Sequence, residues 1–175
     1  MAAPAVHRKP LKILRNADYV TFTLDMVNER MKAQGSALYE RECGVTLREL
    51  RLLRLIGAEP GLTLTRLIEG TYLEKTLASK AVTSLVQRGL VVRSVGTEDA
   101  RQICLHLTED GVAIVMAAEP IGRLAEATFR ASLTEEEHAV FRRCLDKLAR
   151  SVDDILARVE QEVGKRRPAA GRRAA

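Results

Sequence analysis

The chain has 175 residues, of which 46% are apolar and 29% are charged, and its formal net charge is +5. This balance is typical of one folded globular domain rather than of a disordered chain. No apolar run approaches the ~20 residues of a membrane span, and the N-terminus lacks the apolar stretch of a secretory signal. We therefore expect a cytoplasmic protein without a membrane partner.

The positive charge is concentrated at the C-terminus. Residues 164–175 contain five basic residues, whereas all 23 acidic residues lie before residue 163. The segment 164–175 is therefore predicted to be a basic disordered tail, and residues 1–10 a flexible N-terminus. Because the remainder is neutral overall, any DNA-binding face must come from local separation of charge.

The residues that could bind a metal or act as a nucleophile are scattered along the sequence. The sequence has three cysteines and three isolated histidines, and it contains no phosphate loop or nucleophile elbow. We therefore expect no metal site, no cofactor and no enzymatic activity. The residues concerned are Cys43, Cys104, Cys144, His7, His106 and His138.

The first half of the chain is predicted to be helical. One long helix is expected from Leu11 to about Glu42, with a break near Gly35. Thr46 and Glu49 form a capping box that opens a second helix, which ends near Gly57. The apolar seam of the first helix has a period close to 3.5 and consists of Ile13, Ala17, Val20, Leu24, Val27 and Met31.

A helix pair and a hairpin follow. A short helix at 64–69, a break at 70–72 and a longer helix at 74–88 that ends at Gly89 are expected. Two β-branched runs, 90–95 and 102–107, flank a polar tip and predict a hairpin. Thr108 and Thr134 each begin a further helix. The last helix carries an apolar stripe formed by Phe141, Leu145, Leu148, Val152, Leu156, Val159 and Val163.

The helix 74–88 has a distinctive polar side. Thr76, Ser79, Lys80 and Thr83 follow helical spacing and line one stripe without a carboxylate. Leu77, Ala78, Ala81, Val82 and Leu85 are predicted to be buried. Such a stripe fits either an ordinary exposed helix face or a helix that reads bases in a major groove.

The hairpin tip offers a second candidate contact. Arg101 could enter a minor groove, and Asp99 could hold its guanidinium by a charge-assisted hydrogen bond. A solvated turn with a weak ion pair is the alternative.

The helix pair, the hairpin with its Arg near the tip and the capped helix that follows resemble, in this order, the MarR family of bacterial regulators. The resemblance covers about residues 11–162 and rests on residues 64–68, 76–80, 85–91, Asp99-Ala100-Arg101 and 107–111. Ala100 departs from members that have a second Arg there, and Tyr72 stands where many have Gly.

The resemblance implies a fold that is mainly α with a small β wing, in a two-fold dimer. The winged helix-turn-helix would span 46–111, and residues 11–45 and 112–163 would form dimerisation helices. The apolar seams at the two ends of the chain also favour a dimer, which would place two recognition helices about one DNA turn apart on a near-palindrome.

The expected function is a DNA-binding transcription regulator. Its partners are double-stranded DNA and a second copy, and its expected DNA contacts are Lys75, Thr76, Ser79, Lys80, Thr83, Arg93, Asp99 and Arg101. The resemblance also implies release of a repressor by a small aromatic carboxylate, for which the candidate residues are Arg15, Tyr19, Phe22 and Tyr39. Arg15, Tyr19 and Phe22 are spaced as neighbours on one helical face; core packing is the alternative for the rings.

Two other functions stay open at this point. A regulator of the same fold could sense oxidants through Cys43, which has Arg41 nearby. Alternatively, the winged helix could serve only for protein contacts, in which case it would lack salt-dependent binding to duplex DNA.

Overall fold

A computed structural model describes residues 15–71, 73–96 and 102–166. A single 3-10 turn, Asn16–Asp18, precedes six helices and three strands within these ranges. These elements are α1 (Val20–Cys43), α2 (Leu47–Ala58), β1 (Leu62–Thr63), α3 (Leu64–Thr71), α4 (Lys75–Gln87), β2 (Val91–Val95), β3 (Ile103–Leu107), α5 (Glu109–Arg130) and α6 (Glu135–Arg166). The expected mainly helical fold with a small β wing is confirmed. Within the described ranges, no helix has the length and apolar character needed to cross a bilayer.

The sheet has three antiparallel strands in the order β1-β3-β2. The predicted hairpin of β2 and β3 is confirmed, and its register pairs Val91 with Leu107 and Val95 with Ile103. The two-residue strand β1 adds Leu62 opposite Leu105. This strand was not predicted, because two residues are too short to show the alternation that marks a strand.

The chain divides into two compact units, residues 1–121 and 122–175. The first unit contains the core, in which α2 buries four side chains completely and α4 buries one side of its helix. Its fully buried large side chains are Val45, Leu50, Leu52, Leu53, Ile56, Leu67, Val82, Leu85, Val91 and Leu105. In the second unit, the rings of Phe129 and Phe141 lie 6.5 Å apart, and the apolar stripe of α6 is solvent-exposed.

The start of the first helix differs from the prediction. Helix α1 begins at Val20 rather than Leu11, because Tyr19 has extended backbone angles (φ −96°, ψ 118°) and follows the 3-10 turn. The residues before Arg15, including Ile13 of the predicted seam, lie outside the described residues.

The predicted break near Gly35 is also wrong, since α1 is continuous through Gly35 and Ser36. A Cβ atom at Gly35 would lie 3.4 Å from the Leu47 side chain, at ordinary contact distance, so Gly35 lies next to α2. The Ser36 hydroxyl accepts a hydrogen bond from the Leu47 amide at 3.3 Å and donates one to Glu40 at 2.8 Å. Both residues therefore lie where α1 packs against α2.

A junction connects the end of α4 to the start of α5. Gly89 has φ +72°, a left-handed conformation that suits glycine and ends α4. The Thr108 hydroxyl donates to the Gly89 carbonyl at 2.7 Å and accepts the Gly111 amide at 3.0 Å. The Thr108 amide donates to the Leu90 carbonyl at 3.2 Å. These bonds fix the base of the hairpin to both helices.

Gly111 is predicted to be the least replaceable residue of this junction. A Cβ atom there would overlap the Leu90 carbonyl oxygen, so Gly111→Ala must displace backbone. We expect it to lower the free energy of unfolding by roughly 3 kcal/mol, measured by urea denaturation. Gly164→Ala is the control, because a Cβ at Gly164 meets nothing within 4 Å; equal effects of the two substitutions would contradict the prediction.

Candidate nucleic-acid interface

Helix α4 begins with a strong cap. The Glu74 carboxylate accepts hydrogen bonds from the amides of Thr76 at 2.9 Å and Leu77 at 3.1 Å. These bonds, above all the one from the Thr76 amide, lower the pKa of Glu74 below its usual 4.5. The predicted helix 74–88 is confirmed to within one residue at each end, with Glu74 and Arg88 as the flanking caps.

One side of α4 is anchored in the core. Ala78, Val82 and Leu85 are at most 1% exposed. The prediction that Leu77 is buried is wrong, since its side chain is 43% exposed. An α-helix advances about 100° per residue, which places Leu77 at the border between the buried side and the polar stripe.

The polar stripe faces solvent. Thr76, Lys80 and Thr83 are exposed and Ser79 is half-buried, and Lys75 is exposed at the start of the helix. Because the opposite side of α4 is held in the core, the helix presents these side chains along a fixed ridge, on which Thr76, Ser79 and Thr83 are short. Short polar side chains on a rigid helix permit close approach to a groove of duplex DNA.

Arg93 joins this ridge from the hairpin. Its guanidinium Nη2 donates to the Thr83 hydroxyl oxygen at 3.0 Å, so strand β2 adds a third cation to a ridge that already carries Lys75 and Lys80. The structure thus brings together six of the eight predicted DNA-contacting residues. The other two, Asp99 and Arg101, lie outside the described residues.

Arg88 is a positioning residue that the sequence analysis missed. Its guanidinium forms an ion pair with Glu49 at 3.1 Å and donates to the Gly44 carbonyl at 2.5 Å. It therefore connects the end of α4 to the end of α1 and the start of α2. Its partners lie 39 and 44 residues away in the chain, so no local pattern predicted them.

The residues predicted for an effector do not form one helical face. Arg15 and Tyr19 precede α1, and the Arg15 guanidinium is directed to Asp18 at 3.5 Å. Phe22 is inside α1 and 41% exposed, whereas Tyr39 is buried in the core at 6%. The assumption that a single helix runs from residue 11 through all of them is wrong.

The three cysteines differ in exposure. Cys43 is half-buried against the core, Cys104 is half-buried in β3, and Cys144 is exposed. The cation nearest to Cys43 in sequence, Arg41, is paired with Glu42 at 2.8 Å. Within the described ranges, no three metal-ligating side chains come together.

Comparison with known proteins gives the family. The MarR family model matches residues 44–102. The HTH-type transcriptional repressor Rv2887 of Mycobacterium tuberculosis is 30% identical over 105 residues, which are 60% of this chain and 76% of that protein. The chain belongs to the MarR family. Members of this family are transcription regulators that bind DNA, so this MarR protein is a regulator and not an enzyme.

Solved MarR structures show the same fold. The S. aureus MepR–DNA complex has a TM-score of 0.71 at 22% identity, covering 77% of this chain and 98% of MepR. PcaV from Streptomyces coelicolor, solved with its natural ligand, has a TM-score of 0.67 at 22% identity. The match covers 81% of this chain and 99% of PcaV. The winged helix prediction is thereby confirmed.

The cap of α4 predicts a pH dependence in this MarR protein. Since the pKa of Glu74 is lowered on folding, its contribution to stability is complete above about 4.5 and is lost as the pH falls through the folded-state pKa. Glu74→Ala should therefore destabilise the protein at pH 7 and much less below that pKa. Urea denaturation of both proteins at the two pH values measures this difference, and a pH-independent difference would contradict it.

Proposed function

We propose that this MarR-family protein is a dimeric, sequence-specific repressor that reads a near-palindromic duplex with α4. The observation that carries the proposal is the fixed polar ridge of α4 with Arg93 bound to its Thr83. The relative Rv2887 is described as a repressor, and a regulator of this kind works in the cytoplasm, where the chromosome is.

Each side chain of the ridge has a defined task in this proposal. Thr76 and Ser79 offer hydroxyl groups to base edges, and Lys80 offers a cation to a guanine edge or a phosphate. The exposed Leu77 borders them and suits the methyl group of thymine, which only the major groove displays. The ridge therefore combines polar and apolar reading elements.

Arg93 and the hairpin tip extend the contact beyond α4. With its guanidinium held by Thr83, Arg93 loses little freedom when it contacts a phosphate. We propose that Arg101, supported by Asp99, enters the neighbouring minor groove, as the family resemblance implies. The basic segment 164–175 would add sequence-independent attraction to phosphates.

Apolar side chains that are exposed among the described residues of one protomer support a dimer. Helix α6 has 32 residues, and its apolar stripe is continuously exposed at 37–57%. On α1, Val20, Leu24, Val27 and Met31 are exposed at 38–73%. We propose that segments 11–45 and 112–163 cover these surfaces with a second copy, whereas 46–111 binds DNA.

Release by a small organic acid completes the proposal. PcaV was solved with its natural ligand, and a ligand could act here by changing the spacing of two recognition helices. A small aromatic carboxylate held by Arg15, Tyr19, Phe22 and Tyr39 was the expectation from sequence. That site stays a prediction, although its four residues do not share one helical face.

Lys80→Ala is expected to weaken binding to the preferred duplex about 10- to 100-fold, because it removes a contact worth roughly 1–3 kcal/mol. Fluorescence anisotropy with excess non-specific DNA measures this loss in the full chain. Lys147→Ala on α6 removes the same charge away from the ridge and should leave the affinity unchanged. An affinity that does not depend on Lys80, or that ignores the duplex sequence, would refute this use of α4.

Leu148→Glu is expected to shift the protein from dimer to the 19.3 kDa monomer, because it places a charge in the middle of the apolar stripe of α6. Light scattering coupled to size exclusion measures the mass. The control Arg150→Glu changes the charge on the other side of α6 and should stay dimeric. A monomeric wild-type protein at micromolar concentration would refute the dimer.

A further inference from the structure

A cleft of about 790 Å³ lies between α1, α2 and the end of α3, within the first unit. Its volume is within the range of about 300–1,000 Å³ that is typical of small-molecule sites. None of the predicted effector residues lines it. The cleft is therefore a candidate site distinct from the one that the sequence suggested.

The lining of the cleft is strongly cationic. Among the lining residues that the structure describes, Lys32 of α1 and three arginines on α2 accompany one carboxylate, that of Glu29; the arginines are Arg48, Arg51 and Arg54. The arginines are spaced three residues apart, so consecutive members are neighbours on the helix surface. The lining thus has a surplus of three positive charges.

Most of this charge is available to a ligand. Lys32 is paired with Glu29 at 2.7 Å, but Arg48 and Arg51 are exposed and have no ion pair within the described ranges. Arg54 donates from its Nη2 atom to the Ala118 carbonyl and to the Glu119 carboxylate, each at 3.5 Å. Its Nε atom is buried and has no hydrogen-bond partner in the part of the chain that the structure describes. These guanidinium groups are suited to bidentate binding of carboxylate or phosphate.

The apolar residues that line the cleft indicate the character of the uncharged part of the ligand. Leu47, Leu55 and Leu73 supply apolar surface. We propose that the cleft binds an organic anion that has two or more negative charges, carboxylate or phosphate. An acid with one charge would leave much of the cationic surplus unpaired.

The position of the cleft suggests how such a ligand regulates, an inference that rests on the proposed function. Gly70, Thr71 and Leu73 line the cleft at the end of α3, immediately before the cap Glu74 of α4. A bound polyanion would thus contact α1, α2 and the turn that leads into the proposed recognition helix. Differential binding to two arrangements of this turn would change DNA affinity.

Calorimetric titration of the full chain tests the site without DNA. The probes are citrate, 3-phosphoglycerate and benzoate at constant ionic strength, with wild type, Arg51→Gln, the double variant Arg48→Gln/Arg51→Gln and the control Arg41→Gln. Arg41 is exposed on α1 and does not line the cleft. Circular dichroism checks that each variant is folded.

We expect saturable binding of citrate or 3-phosphoglycerate. Tighter binding of citrate indicates a preference for carboxylates, and tighter binding of 3-phosphoglycerate a preference for phosphate. Arg51→Gln should weaken it about tenfold or more, since hydrogen bonds to charged groups are worth roughly 1.5–3 kcal/mol. Arg41→Gln should leave it unchanged. Absence of binding, tighter binding of benzoate, or full affinity in the double variant would each overturn the proposal.

A second measurement separates this proposal from the proposed function. Saturating polyanion should change the dissociation constant of the preferred duplex at least about fivefold in wild type, and not in the double variant. If arginine-dependent polyanion binding occurs but no duplex is preferred, the regulator function fails and the site stands. If the double variant loses DNA affinity while it binds polyanion normally, the arginines are phosphate contacts and the site is refuted.

Discussion

The close approach of Gly111 to the Leu90 carbonyl is the constraint on which the arrangement of α4, the hairpin and α5 depends. Only a residue without a side chain permits it, and it places the first turn of α5 against the segment between α4 and β2. Together with the bonds of Thr108 to Gly89 and Leu90, it fixes the hairpin relative to α4. A recognition surface made of two elements needs such a fixed angle, because groove contacts tolerate little displacement.

The consequence of this constraint is a surface assembled from distant parts of the chain. Core packing of Ala78, Val82 and Leu85 decides which side of α4 faces outward, and the junction decides where β2 emerges. Arg93 can then reach Thr83. Arg88 connects the same helix to the end of α1, so a change in α1 or α2 has a direct physical route to the ridge. The cationic cleft borders the segment that precedes the other end of α4, before Glu74.

Local features were predictable from the sequence, and features formed by distant residues were not. The capping boxes at Thr46 and Thr134 use partners three residues away, and the stripe of α4 follows from helical period alone. Gly35 was misread as a break because an isolated glycine does not reveal from sequence whether the helix continues through it. The start of α1 at Val20 was missed because the side chain of Tyr19, the residue before it, does not cap the helix. The cleft needs three helices and has no linear signature.

The central claim is that the ridge of α4 reads bases in two symmetric half-sites. The most direct test is selection of bound sequences from random duplex DNA by the wild-type chain and by Ser79→Ala. The account predicts a near-palindrome with half-sites about one helical turn apart, and loss of preference at one symmetry-related position in each half-site when Ser79 is replaced. Identical preferences for both proteins, or selection of sequences without symmetry, would contradict it.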